Sequence, residues 1–157
     1  MATVIRRADE SDVEALAALN ADVQGVHAAA LPWLFKPPGP DTFPPAEIAD
    51  LLRRPENLLF VAEIDGTAAG YAYGEIMRRY ETPFCHAYDT VYLHHISVRP
   101  DHRRHGVGTA LLGAVRAAAA EGGITLLELD VWRFNEAARA FFRRHGFAIS
   151  NERLWSR

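Results

Sequence analysis

Residues 58–79 constrain this chain more than any other stretch. Two apolar runs, 58–64 and 68–79, flank Asp65-Gly66. Asp-Gly suits the two-residue type I′ turn, so the runs read as antiparallel strands of a tight hairpin. A lone hairpin is marginal in water, so more strands and a covered face must follow. Tyr88–Val98 reads as a third, long strand. In 106–121, Val107, Ala110, Leu111, Ala114, Val115 and Ala118 recur at helical spacing, and Gly122-Gly123 stops the helix. Residues 124–131 read as the next strand. A strand–helix–strand unit of this kind crosses over right-handedly, so its two strands run parallel.

The remaining elements are shorter. Thr3–Arg7 alternates like a strand. Ser11 and Glu14 read as a capping box for a helix carrying Val13, Leu16, Ala17 and Asn20. Residues 21–45 hold six of the nine prolines, with Trp33, Phe35 and Phe43. They read as a short helix through His27 and then a long irregular segment, a candidate binding loop. Residues 45–54 form a second helix, burying Ile48, Leu51 and Leu52. Residues 80–87 are a loop. Residues 135–144 form a helix closed by Gly146, and 147–154 a last strand. The order is β-α-α-β-β-β-α-β-α-β over one domain, 1–157. It implies an α/β chain of the α+β kind: a twisted mixed, mostly antiparallel sheet flanked by helices on both faces.

Composition narrows the function classes. With 157 residues, 49% of them hydrophobic, the chain can bury a real core. Its formal charge of −3 argues against a nucleic-acid partner. The single cysteine, Cys85, permits no internal disulfide. No apolar run is long enough to span a bilayer, and the first residues lack a signal-peptide core, so the expected setting is cytoplasmic. The seven histidines include no i, i+4 helical pair, and strand alternation points His94 and His95 apart. No metal is expected.

Against this mildly acidic background, the turn "RRHGVG" is locally basic. Arg103, Arg104 and His105 crowd a helix start that already carries partial positive charge, and no capping side chain precedes Gly106. Such an end is either a solvated turn or an anion site. Gly106 and Gly108 would let a ligand approach the backbone, and the arginines would add charge-assisted hydrogen bonds. It is not a Walker loop, because no lysine follows either glycine. It is only a partial dinucleotide fingerprint, because Leu111 stands where the third glycine belongs.

The pattern Arg103-x-x-Gly106-x-Gly108 resembles the acyl-CoA-binding motif [QR]-x-x-G-x-[GA] of the GNAT superfamily of N-acyltransferases. "YLHHISVRPDHRRHGVGTALL" is similar to that family's strand, turn and helix, and "NEAARAFFRRHGF" to its N-x-x-A-…-F-Y-…-G-F segment. The element order matches over nearly the whole chain, so the sheet is expected to be GNAT-like. The resemblance implies an acetyl-CoA-dependent N-acetyltransferase. Backbone N–H groups of Arg104, His105, Gly106, Val107, Gly108 and Thr109 would hold the CoA pyrophosphate, beside Arg103. The backbone of Ile96, Ser97 and Val98, at a bulge, would pair with the pantetheine arm, and the Val98 N–H would face the thioester oxygen. Asn135 would contact pantetheine or cap its own helix, and Ala138 and Phe142 would line the thiol end. The partner would be a small-molecule or peptide amine, and a homodimer is suggested by many such relatives.

Direct attack on a thioester needs the amine unprotonated, and an aliphatic ammonium has a pKa near ~10.4, so a base is required. His94, nine residues before Arg103, is the first candidate. Glu75, sharing a strand face with Tyr71 and Tyr73, is the second. His95 is expected to pack under the sheet. The family's general-acid tyrosine, seven residues after the asparagine, is here Phe142. Water, Tyr92, Tyr71, Tyr73 or Tyr88 would have to serve, or the chain would be a catalytically weak CoA-binding module.

Overall fold

A computed structural model describes residues 2–157. Its elements are β1 (Thr3–Arg7), α1 (Val13–Ala30), α2 (Pro45–Leu52), β2 (Asn57–Ile64), β3 (Thr67–Arg79), β4 (Tyr88–Val98), α3 (Val107–Glu121), β5 (Leu127–Glu128) and α4 (Glu136–Arg144). The five strands form one sheet in chain order. Neighbours are antiparallel except β4 and β5, which are parallel. The hairpin turn takes the expected form, with Asp65 at φ 51° and Gly66 at φ 76°.

Strand alternation sends apolar side chains to both faces, and helices cover both. On one face Leu58, Phe60, Ala62, Ala72, Val91 and Leu93 pack with Val107, Leu111, Leu112 and Val115 of α3 and Phe142 of α4. On the other, Leu59, Val61, Tyr71 and Tyr73 pack with Leu16 and Leu19 of α1, Ile48 of α2 and Phe43. No helix among the described residues is long and apolar enough to cross a membrane.

Four local expectations are corrected. The capping box is made by Asp9 and Asp12 around a 3-10 turn, Glu10–Asp12, rather than by Ser11 and Glu14. Asp12 also receives both Arg6 Nη groups at 2.8 Å, which locks this turn to β1. Helix α1 does not stop near His27 but continues to Ala30. Alanines favour its extension, and Pro32 is the first residue that cannot prolong it. β5 has two residues instead of eight, and 147–154 forms no strand. Both follow from a bulge in β4, described below: it turns β4 away from β5, so the parallel ladder ends and leaves little edge for the tail to join.

Candidate active site

The start of α3 is an open cradle of backbone donors. After the 3-10 turn Pro100–His102, Arg104 takes φ 64° and Gly106 φ 80°. Gly106 is the N-cap and offers no side chain to the helix. Positive φ at Gly106 costs nothing, whereas an L side chain there would be strained. Among the described residues, the backbone N–H groups from Arg104 to Thr109 find no protein acceptor; the first helical bond runs from Ala110 N to Gly106 O at 3.0 Å. Arg103 donates Nε–H to the Val98 carbonyl at 2.9 Å, which clips the turn to the end of β4. At Gly108 a Cβ would lie 3.2 Å from the Phe141 ring, so the missing side chain lets α4 close against α3. Thr109 is held by His145, with Oγ1 3.0 Å from Nε2. Unpaired N–H groups, the helix dipole and adjacent cations together suit a diphosphate.

Beside this cradle the sheet splits. β5 pairs with β4 only at Val91↔Leu127 and Tyr92↔Glu128. From His94 to Val98, the edge of β4 that faces away from β3 has no strand partner. The cause is a register shift against β3: Tyr73 pairs with His95 but Gly74 with Leu93, leaving His94 as the extra residue. The bulge therefore lies at His94, not at 96–98 as expected. It also overturns the expectation that His94 and His95 point apart and that His95 packs under the sheet. Both rings lie on the α1 side. His94 stacks on Tyr73 with centroids 4.7 Å apart. His95 packs edge-on against Phe43, Tyr71 and Tyr73.

Two polar pairs meet here. His94 Nε2 lies 2.7 Å from Glu75 Oε2. An ionised carboxylate only accepts, so Nε2 carries the proton and Nδ1 keeps a lone pair. The Tyr92 hydroxyl donates to Asp130. Burial and the Asp130 carboxylate push the Tyr92 phenol up to about 12, and burial with Glu75 nearby pushes Tyr73 to about 12. Both stay protonated at neutral pH. Burial and the neighbouring His94 and His27 lower His95 to about 4, so it is neutral.

The surroundings are acidic and aromatic. A shallow depression beside Glu75 is also lined by Glu56, Met77, Arg78 and Tyr80. A chain of rings joins the end of α1, the following loop, the loop after β5 and the tail: His27–Phe35 at 5.0 Å, Phe35–Trp132 at 5.1 Å, Trp132–Trp155 at 5.8 Å and Trp33–Trp155 at 5.4 Å.

The structure thus brings Glu75, His94 and Tyr92 together on one face, and aligns Ile96, Ser97 and Val98 along the open edge. Ser97 turns inward, its hydroxyl donating to the Leu19 carbonyl at 3.0 Å. Asn135 caps α4, accepting from Ala138 N at 3.1 Å. Ala138 packs against the α3-side core, and Phe142 is buried within it against Phe147. Sequence reasoning missed the Asn20–Tyr71–His95 contacts, the Tyr92–Asp130 pair and the ring chain. The bulge itself left a signal. Leu93 and Ile96 are both apolar but three residues apart, which strict alternation cannot place on one face.

A family model described as the acetyltransferase (GNAT) family matches residues 21–147. The L-2,4-diaminobutyric acid acetyltransferase of Nocardia farcinica is 35% identical over 99 residues, which is 60% of this chain and 48% of that protein. The chain spans about half the length of the curated relatives it matches. Among solved structures, the BH1408 protein of Bacillus halodurans superposes with a TM-score of 0.94 at 21% identity, over 98% of each chain. AAC(6')-Iy, solved with the bisubstrate analogue CoA-S-monomethyl-acetylneamine, superposes with a TM-score of 0.77 at 24% identity, over 100% of this chain and 98% of that one.

Proposed function

The chain belongs to the GNAT acetyltransferase family, and we propose that it transfers an acetyl group from acetyl-CoA to a primary amine of a small molecule or peptide by direct attack. The observation that carries this reading is the opening between β4 and β5. Unpaired N–H groups of the α3 start lie at one end of it, and the His94–Glu75 pair lies at the other.

The residues fit the cosubstrate. The cradle from Arg104 to Thr109, with Arg103 beside it, would hold the pyrophosphate. The free edge of Ile96, Ser97 and Val98 would pair with the amide-bearing arm, and Val98 N–H would polarise the acyl carbonyl. Ala138 and Phe142 would close the apolar end. Acetyl-CoA supplies a thioester whose C–S bond is replaced by C–N as CoA leaves.

In this reading the acceptor ammonium is drawn to Glu75, Glu56 and the Tyr73 ring. His94 Nδ1 takes its proton, directly or through one water, and Glu75 orients the ring and steadies the imidazolium. Phe142 has no proton to give. Tyr92 and Tyr73, raised to about 12, are poor donors to a thiolate whose pKa is near ~8.5. The thiolate therefore leaves without a protein acid and is protonated by solvent. Tyr92, tied to Asp130, braces the wall beside His94. The L-2,4-diaminobutyric acid and aminoglycoside acetyltransferases above support a small-molecule amine as the acceptor class.

Titration calorimetry with acetyl-CoA tests the cradle, and micromolar binding is expected. Thiol release over a panel of diamines, amino sugars, amino acids and peptides tests the transfer. His94→Ala is expected to lower kcat/KM about 100-fold or more and to remove the acidic limb of its pH profile. An unchanged profile would reject His94 as base. Binding without thiol release from any amine would leave a CoA-binding module, the reading that Phe142 favours.

A further inference from the structure

Behind His94 lies a polar chain that the transfer step does not use. Asn20 Nδ2 donates to the Tyr71 hydroxyl at 2.9 Å, and that hydroxyl lies 3.0 Å from His95 Nδ1. Tyr71 is fully buried, and Asn20 and His95 are its hydroxyl's only partners. If His95 Nδ1 also donated to that oxygen, the phenolic proton would be left buried without an acceptor, at a cost of about 1–3 kcal/mol. So the phenol donates to Nδ1, and the proton of the neutral imidazole must sit on Nε2.

That Nε2–H has no acceptor in the protein. Yet no buried side-chain nitrogen or oxygen among the described residues lacks a partner. The His95 Nε2 atom is therefore open to the solvent-filled side of the site. Every titratable neighbour keeps the ring uncharged or leaves it so. His94 lies beside it on β4, Tyr71 and Tyr73 face it from β3, and His27 approaches from α1. Phe43 seals the remaining side. Ser97, two residues on, ties β4 to α1 one residue before Asn20, so the chain is held from both ends.

We propose that His95 is a specificity-determining donor: Asn20 and Tyr71 fix its Nε2–H toward the acceptor site, where it binds an oxygen on the carbon next to the carbon bearing the reacting amine. The favoured acceptors are then vicinal amino alcohols and amino sugars rather than plain alkylamines. The choice of substrate class rests on the proposed acetyltransferase reading; the tautomer does not. A site that builds a donor for a substrate oxygen rejects the analogue lacking it, because the donor is then stranded.

The test is nitrogen-15 NMR of the full chain loaded with CoA, which permits acceptor binding but no acetyl transfer. His95 is expected to show a protonated Nε2 and an unprotonated Nδ1, unchanged from pH 6 to 9. Ethanolamine is expected to shift the Nε2 resonance, and n-propylamine to leave it in place. A protonated Nδ1, titration of His95 near neutrality, or equal shifts with both amines would overturn the proposal. Turnover supplies the second arm. Wild type is expected to prefer ethanolamine over n-propylamine at least tenfold in kcat/KM. His95→Gln, which keeps a donor, should hold most of that preference, and His95→Phe should lose it without changing the propylamine rate. Equal preference in wild type and His95→Phe would also overturn it. If no amine is acetylated, the enzymatic reading fails, and the NMR shifts still decide the role of His95.

Discussion

At the scale of single residues, His94 and His95 are chemical neighbours with opposite duties. His94 is paired with a carboxylate at the rim, and His95 is walled in by Phe43, Tyr71 and Tyr73. The burial of His95 links it to stability. Its folded pKa, about 4, lies below the ordinary 6.5. Below pH ~6.5 the unfolded chain gains a proton that the folded chain refuses, so stability is full above that pH and falls as pH drops toward ~4. The full drop from this one group is about 3 kcal/mol. Urea midpoints at pH 7.5 and 4.5 should therefore differ less in His95→Phe than in wild type. An equal difference would show that His95 titrates normally in the fold. His94 and Glu75 were legible as candidates because their residue types are suited to proton transfer. Their 2.7 Å contact was not, because it depends on a residue inserted into one strand of a pair.

At the scale of elements, the turn before α3 and the bulge in β4 set the site. Gly106→Ala forces a side chain to φ 80° or moves the turn. The strain is about 1–2 kcal/mol, and if relieved by turning the backbone it aims the cradle's N–H groups elsewhere. CoA affinity by calorimetry is expected to fall about tenfold, the equivalent of ~1.4 kcal/mol. An unchanged affinity would mean that the cradle is not the pyrophosphate site. Helix α3 was readable almost to the residue, since its apolar stripe and the Gly122-Gly123 stop are local. The ends of β5 and the missing last strand were not. Residues 124–131 carry strand-like side chains, but a strand persists only where a neighbour's edge continues, and β4 turns away after Tyr92.

At the scale of the whole molecule, two cores back the sheet and a ring chain lies outside both. Leu111 has no exposed surface within the α3-side core. Leu111→Ala is expected to cost about 2–5 kcal/mol and to lower Tm by roughly 10 °C. Trp155, half exposed on Trp33 and Trp132, should shift Tm by less than about 3 °C when replaced by alanine. Equal losses would mean that the tail is integral to the fold. Hydrophobic period, turn residues and the glycine-rich helix start determined the elements, the antiparallel hairpin and the place of the anion cradle, because each depends on residues close in the chain. Tertiary structure alone decided which side chains face each other across β3 and β4. A one-residue bulge reverses strand alternation, and only the pairing partner reveals where it falls. That reversal put His95 on the α1 side, beside Tyr71 and Asn20, and separated β4 from β5 to open the site.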